Sequence, residues 1–390
     1  MDVHAKILHR GGGIPLSRKR TQLAYRVPFV DPREHYRRHR QGIDQAILEC
    51  LSQGDLIMRR QLKAFEENFA RFIGTKYAVG LNSGYHALAF SMLAAGLGPG
   101  DEVITVAHTF LATVSAIVHA GATPKLIDVG SDYNMDMDAL ERAITPRARA
   151  VVPVHLNGRL CDMERLNSIA KKHDLLIIED AAQAVGATYR KQKAGTFGLV
   201  GCFSFYPFKL LGGFGDGGAI TTNDPKIARA IGLMRFNGED RETGEYHYHG
   251  QTALLDNVQA AVLDFKLTHL PQWIEHRRDI ARRYRKGLED VTEVSLPHFA
   301  GAEYEDAYQN YVIRTPRRDE LRAFLKENGI ETLVSWPKPM WHHRGLKLGE
   351  YHLPETEAIC REVISLPMSA ETTYEHVKET VACIRRFFGR

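Results

Sequence analysis

The chain has 390 residues, 44% of them hydrophobic and 25% charged, with a formal net charge of +4. That length suits a large domain joined to a smaller one, and the composition is that of a soluble globular protein, not a disordered or fibrous one. So small a net charge gives no reason to expect nucleic acid as a partner, and no apolar run reaches the roughly 20 residues of a membrane span.

Residues 1–26 are basic through Lys6, Arg10, Arg18, Lys19, Arg20 and Arg26 and lack the apolar core of a secretory signal, so they read as an N-terminal extension or oligomer arm. Residues 27–270 alternate short apolar runs with amphipathic helical stretches, which predicts a large α/β domain with a mainly parallel sheet. Its clearest unit is a strand over Ala150–His155, a helix from Asp162 to His173 and a strand over Leu175–Asp180. His155 and Asp180 each end a strand, where open α/β sheets bind their ligands. A further strand, Gly201–Tyr206, leads to Lys209 on a loop, and a glycine-rich turn then precedes the strand Ala219–Thr222. A helix from Asp256 to His269 and a basic helical stretch follow. Residues 271–390, with a strand at Tyr311–Arg314 and helices at Arg318–Asn328 and Tyr374–Phe388, read as a smaller α+β domain.

The five cysteines, Cys50, Cys161, Cys202, Cys360 and Cys383, are scattered, odd in number and without a C-x-x-C spacing. This argues against a disulfide framework or a zinc site, and reduced thiols in the cytoplasm are the default. Tyr246-His-Tyr-His249 has no carboxylate or cysteine to complete a ligand set, so no metal is expected.

Asp180 lies in Glu179-Asp180-Ala-Ala-Gln183-Ala-Val-Gly186, and Lys209 in Phe203-Ser-Phe-Tyr-Pro-Phe-Lys209-Leu-Leu-Gly-Gly-Phe-Gly-Asp-Gly-Gly-Ala219. These segments closely resemble the DegT/DnrJ/EryC1/StrS sugar aminotransferases, a branch of the fold-type I pyridoxal 5′-phosphate (PLP) enzymes. The resemblance extends through Val79-Gly-Leu-Asn-Ser-Gly-Tyr-His-Ala-Leu88, Gly98-Pro-Gly-Asp-Glu-Val103, His108-Thr-Phe110 and Ser365-Leu-Pro-Met368, nearly the whole chain after Val27. The pairing makes chemical sense, because PLP needs an anion beside its pyridine nitrogen and a partly desolvated lysine to hold its aldehyde.

The resemblance implies that Lys209 is the catalytic lysine, Asp180 the partner of the pyridine nitrogen and Gln183 a donor to the cofactor's phenolic oxygen. It implies that Ser204 and the amides around Ser83, Gly84 and Tyr85 hold the phosphate, as a helix N-terminus does for anions. Phe110 matches the ring that stacks on the cofactor, although an aromatic there also reads as plain core. His155 could meet cofactor or substrate, but a histidine at a strand end is more often a satisfied structural residue.

Two segments depart from the family pattern. Where many members read Gly-x-Asn-x-Arg-x-Asp, this chain has Gly250-Gln-Thr252-Ala-Leu254-Leu-Asp256, and the loss of arginine removes a bidentate anion anchor. Where relatives often read His-Tyr-Pro-x-Pro-x-His, it has Val334-Ser-Trp-Pro-Lys-Pro-Met-Trp-His342. Trp336 and Lys338, with His249 and Thr252, are therefore candidate substrate contacts, and packing of the smaller domain is the other reading of the tryptophan segment.

The activity implied is transfer of the amino group of L-glutamate, by way of pyridoxamine 5′-phosphate, to a nucleotide-linked 3-keto- or 4-keto-deoxyhexose. The segment Arg26–Asp31 and the core motifs look closer to the 3-keto subgroup. Family dehydratases carry histidine at the lysine position, so Lys209 argues for transamination. A keto-cyclitol or a sugar without a nucleotide is the alternative acceptor. A non-catalytic PLP-binding regulator would need a DNA-binding module, for which residues 1–26 are too few. The family pattern also implies a homodimer.

Overall fold

A computed structural model describes residues 25–298 and 301–390, so most of the expected N-terminal extension lies outside the described residues. The centre is a seven-stranded sheet of β1 (Tyr77–Leu81), β2 (Glu102–Val106), β3 (Thr123–Ile127), β4 (Ala148–Val152), β5 (Leu176–Asp180), β6 (Val200–Ser204) and β7 (Gly218–Thr222). Its order is β1-β7-β6-β5-β4-β2-β3. The pairs from β6 to β3 are parallel, whereas β7 runs antiparallel to both β1 and β6.

The strands are apolar runs because both faces are covered. Val151, Ile177, Phe203 and Ala219 turn to one face, under α2 (Arg60–Ile73), α5 (Met137–Ala143), α6 (Met163–His173) and α8 (Asn257–Leu288). Their neighbours Val152, Ile178, Cys202 and Ile220 turn to the other, under α3 (Gly84–Ala94), α4 (Leu111–His119) and α7 (Pro225–Met234). This alternation makes a three-layer α/β/α core.

Capping chemistry sets the helix limits. The side chain of Asp162 accepts from the Arg165 amide at the start of α6, and Asp174, at φ 54°, ends it in the left-handed region. The long helix α8 differs from expectation: it does not stop near residue 269 but runs unbroken through Pro271 to Leu288. Its second half keeps burying residues, among them Trp273, Ile280 and Tyr284, so packing outweighs the backbone bond a proline removes. Ile280, Tyr284 and Leu288 then join a separate core with Tyr311, Ile313, Leu321, Leu325, Ile364 and Ile384.

No helix among the described residues is long and apolar enough to cross a membrane. All five cysteines are free and buried. No group of three or more metal-ligating side chains occurs among the described residues.

Candidate active site

Asp180 is the last residue of β5 and is buried. Its Oδ2 accepts from the Thr113 hydroxyl at 2.8 Å and its Oδ1 from the Ala182 amide at 3.2 Å. Burial pushes its carboxyl above the usual range, against the pull of those two bonds and of the Lys209 charge. Lys209 sits on the loop between β6 and β7, where its own amide donates to the Tyr206 carbonyl at 2.8 Å. Burial draws the lysine's pKa below its ordinary value, and Asp180 opposes this. The fold thus brings into one electrostatic field the two residues that the sequence singles out.

The α3 terminus lies beside them. The Ser83 side chain caps it by accepting from the His86 amide at 3.1 Å, and no acidic residue occupies the first turn. Gly84 abuts Ser204 so closely that a Cβ would lie 2.8 Å from the serine Cβ; one on Gly218 would lie 2.3 Å from the Ser83 carbonyl carbon. None of the glycines from Gly212 to Gly218 has positive φ, so this run serves close approach, not left-handed backbone. Ser83, Gly84, Tyr85 and Ser204 are brought together, and the helix's positive pole suits a phosphate. The Tyr85 hydroxyl is occupied by His119 Nδ1 at 2.6 Å, which leaves its backbone amide for such a role.

Gly218→Ala is expected to force a methyl into the Ser83–Gly84 backbone. Overpacking of this kind costs about 1–3 kcal/mol and should loosen a phosphate-bearing ligand. Thermal melting and ligand retention on gel filtration check it, and wild-type values in both would contradict it.

Gln183 accepts from the Asn157 amide at 2.8 Å through its carbonyl, which orients its NH2 group as the donor. Phe110 keeps 63% of its surface exposed, so it is not a core residue. It lines a cleft with His108, Trp336, Lys338 and Met340. Trp336 meets the His108 ring edge-to-face at 5.0 Å between centroids, and Lys338 is exposed at the rim. Burial pulls the His108 pKa down to about 3, so this histidine is neutral. His249 and Thr252 are exposed, and Thr252 donates its hydroxyl to Asn237 at 3.2 Å.

His155 is placed differently from a substrate contact. It is fully buried, and its Nδ1 accepts from the Cys161 amide at 3.3 Å. Its Nε2 is therefore the protonated nitrogen and donates to Glu179 at 3.0 Å. Neither ring nitrogen is left for a sugar. Glu179 also accepts from the amides of Gly195, Phe197 and Gly198, so four donors stabilise one buried carboxylate immediately before Asp180. That network fixes the strand end that carries Asp180.

The sequence reading missed Thr113, which bonds Asp180 from one turn beyond Phe110, and Gln251, which meets His86 Nε2 at 2.8 Å behind the Ser83 cap. No local signal marks either, because each works through a contact between distant segments.

The donor set fits PLP. The carboxylate of Asp180 holds one hydroxyl and one amide, and its remaining acceptor capacity suits a protonated ring nitrogen. Lys209, Gln183, the exposed Phe110 ring and the glycine-tight helix terminus suit the aldehyde, phenol, ring face and phosphate in turn. A three-layer sheet bearing such a set along its strand ends defines a fold-type I PLP enzyme.

The chain belongs to the DegT/DnrJ/EryC1/StrS aminotransferase family, whose model matches residues 38–385. It is 39% identical to a pleiotropic regulatory protein of Geobacillus stearothermophilus, over 93% of this chain and 98% of that protein. It is also 39% identical to a dTDP-3-amino-3,4,6-trideoxy-alpha-D-glucose transaminase of Streptomyces venezuelae, over 94% of this chain and 97% of that one. Among solved structures, S. venezuelae DesV in complex with a ketimine intermediate superposes with a TM-score of 0.90 at 39% identity, covering 94% of this chain and 99% of that one. NtdA of Bacillus subtilis, with bound pyridoxamine phosphate, gives 0.87 at 26% identity, covering 96% of this chain and 87% of that one.

Proposed function

We propose that this protein is a PLP-dependent aminotransferase that moves the amino group of L-glutamate onto a nucleotide-linked keto-deoxysugar, with a 3-keto sugar favoured over a 4-keto sugar. The observation that carries the reading is Lys209, desolvated and within the field of the buried Asp180, at the end of a sheet whose next strands supply the phosphate cradle. The S. venezuelae relative named for a dTDP-3-amino sugar supports the acceptor class.

When bound, PLP supplies an aldehyde that condenses with amines and a ring that draws off electrons. Asp180 keeps a negative charge beside the ring nitrogen. Lys209 would hold the cofactor through Nζ, and the same desolvated amine is suited to take and return a proton as general base and acid. Ser83, Gly84, Tyr85 and Ser204 would bind the phosphate, Gln183 would donate to the phenolic oxygen and Phe110 would cover the ring. Trp336 and Lys338, which line a cleft with Phe110, are the residues we assign to the sugar or its carrier. The regulatory name of the Geobacillus relative does not extend to this reading, since Lys209 and Asp180 are the groups that transamination needs.

Exposed apolar side chains around the Lys209 loop, Tyr206, Phe208 and Phe214, together with Tyr246 and Tyr248, support a homodimer. Five free, buried cysteines fit a cytoplasmic setting. We divide the chain into a large domain over residues 27–270 and a smaller one over 271–390, joined by the continuous α8 and supported by the separate C-terminal core.

Competition binding with free nucleoside diphosphates tests the acceptor. The holoenzyme is expected to bind dTDP or UDP and to release it to the keto-sugar. Absence of binding at millimolar concentration would overturn the nucleotide-linked acceptor and favour a keto-cyclitol or a free sugar, which the Thr252 and Leu254 departures would then explain.

A further inference from the structure

The loop that carries Lys209 is held from behind by a residue nearly a hundred positions further along the chain. Gln309 is buried, and its side-chain amide spans the lysine: Oε1 accepts from the Leu210 amide at 2.9 Å and Nε2 donates to the Phe208 carbonyl at 2.9 Å. Both peptide groups that flank Lys209 are thus tied to one side chain. Arg277, buried on α8, stands behind it, with one guanidinium nitrogen donating to the carbonyls of Tyr308, Gln309 and Met368 at 3.0, 3.3 and 3.1 Å. The next residue, Asn310, donates to the Asn157 side chain at 3.4 Å, and the Asn157 amide donates in turn to Gln183. One short segment, Gln309–Asn310, therefore touches the supports of both Lys209 and Gln183.

We propose that Gln309 is a positioning residue that clamps the backbone of Lys209 and so sets where the lysine Nζ stands relative to Asp180. The proposal rests on the reading of Lys209 as the residue that holds PLP. A primary amide fits both neighbours at once, since it joins an acceptor to an NH2 donor. A carboxylate keeps the acceptor toward Leu210 but sets an oxygen against the Phe208 carbonyl. Methionine keeps the length and gives up both bonds. Placement matters because a displacement of about 1 Å at a reacting group can cost about 10²-fold in rate.

The test compares wild-type holoenzyme with Gln309→Glu, Gln309→Met and Gln309→Asn, the last keeping both groups one methylene short. Three quantities are read: the pH midpoint at which the visible band of the lysine-held cofactor changes, kcat and KM of the half-reaction with L-glutamate, and the melting temperature. We expect the midpoint to move by about half a unit or more in Gln309→Glu and Gln309→Met and kcat to fall by about 10- to 100-fold, with KM within about twofold and a smaller change in Gln309→Asn. Either Gln309→Glu or Gln309→Met, if it folds and loads PLP, suffices to decide. Unchanged midpoint and kcat, with only a lower melting temperature, would reduce Gln309 to a structural role and overturn the proposal. A wild type that lacks the band would instead overturn the functional reading, and the clamp with it.

Discussion

Lys209→Ala is expected to lose at least about 10⁴-fold in kcat/KM for amino transfer, because it removes the amine that holds the cofactor and the group that moves the proton. The fold should survive. The backbone of Lys209 is held by bonds from Tyr206 and Gln309 that the substitution leaves in place. Borohydride reduction followed by peptide mass analysis checks the point: cofactor should be trapped on the Lys209 peptide in the wild type and on no peptide in the variant. Lys209→Arg should fail equally, since a guanidinium keeps its proton throughout the working range and cannot serve as base. Substantial turnover by either variant would place the chemistry elsewhere.

Asp180→Asn is the second large effect, and its signature is opposite in activity and stability. Without a charge beside the ring nitrogen, kcat should fall by about 10²–10³-fold, the scale of a lost preorganised electrostatic contact. The stability argument follows from linkage. Burial raises the folded-state pKa of Asp180 above its unfolded value of about 3.9. Any stability the group contributes is therefore fully present below that unfolded value and is lost as pH rises through the folded pKa. Above that unfolded value the cofactor-free protein bears a penalty, because burial disfavours the carboxylate that the unfolded chain carries freely. Asparagine does not ionise and escapes that penalty, so cofactor-free Asp180→Asn should melt at or above the wild type at pH 7 to 8, with the margin shrinking toward pH 4. Added PLP should raise the melting temperature of the wild type more than that of the variant. A variant that is less stable at neutral pH yet fully active would contradict this.

The part of this site that lies along single segments is legible in the sequence. Asp180 and Lys209 stand out through the resemblance that their flanking segments bear to the family, since an acid and a lysine 29 positions apart mean little alone, and the Ser83–Tyr85 cradle is implied by the same resemblance. The parts assembled across the fold are not. Phe110 reads nearly as well as core as it does as cofactor cover until its 63% exposure removes the core reading. His155 sits at a strand end as ligand-binding residues do, yet the loop at Gly195–Gly198 folds over Glu179 and encloses it. Gln309 and Thr113 act on Lys209 and Asp180 from distant parts of the chain, and neither belongs to a local pattern. The run of α8 through Pro271 was hidden for a related reason: a proline marks a break in isolation, and only the burial on both sides of it shows that the helix continues.

The most direct test of the central claim is the visible absorption of the purified protein, reconstituted with PLP and titrated with L-glutamate. The expected result is a band from cofactor held by Lys209 that glutamate converts to the shorter-wavelength absorption of the pyridoxamine form, with 2-oxoglutarate released in equal amount and the band restored by adding it back. A protein that takes up no PLP, or whose lysine-held band glutamate leaves unchanged, would contradict the assignment of this chain as a glutamate-dependent aminotransferase.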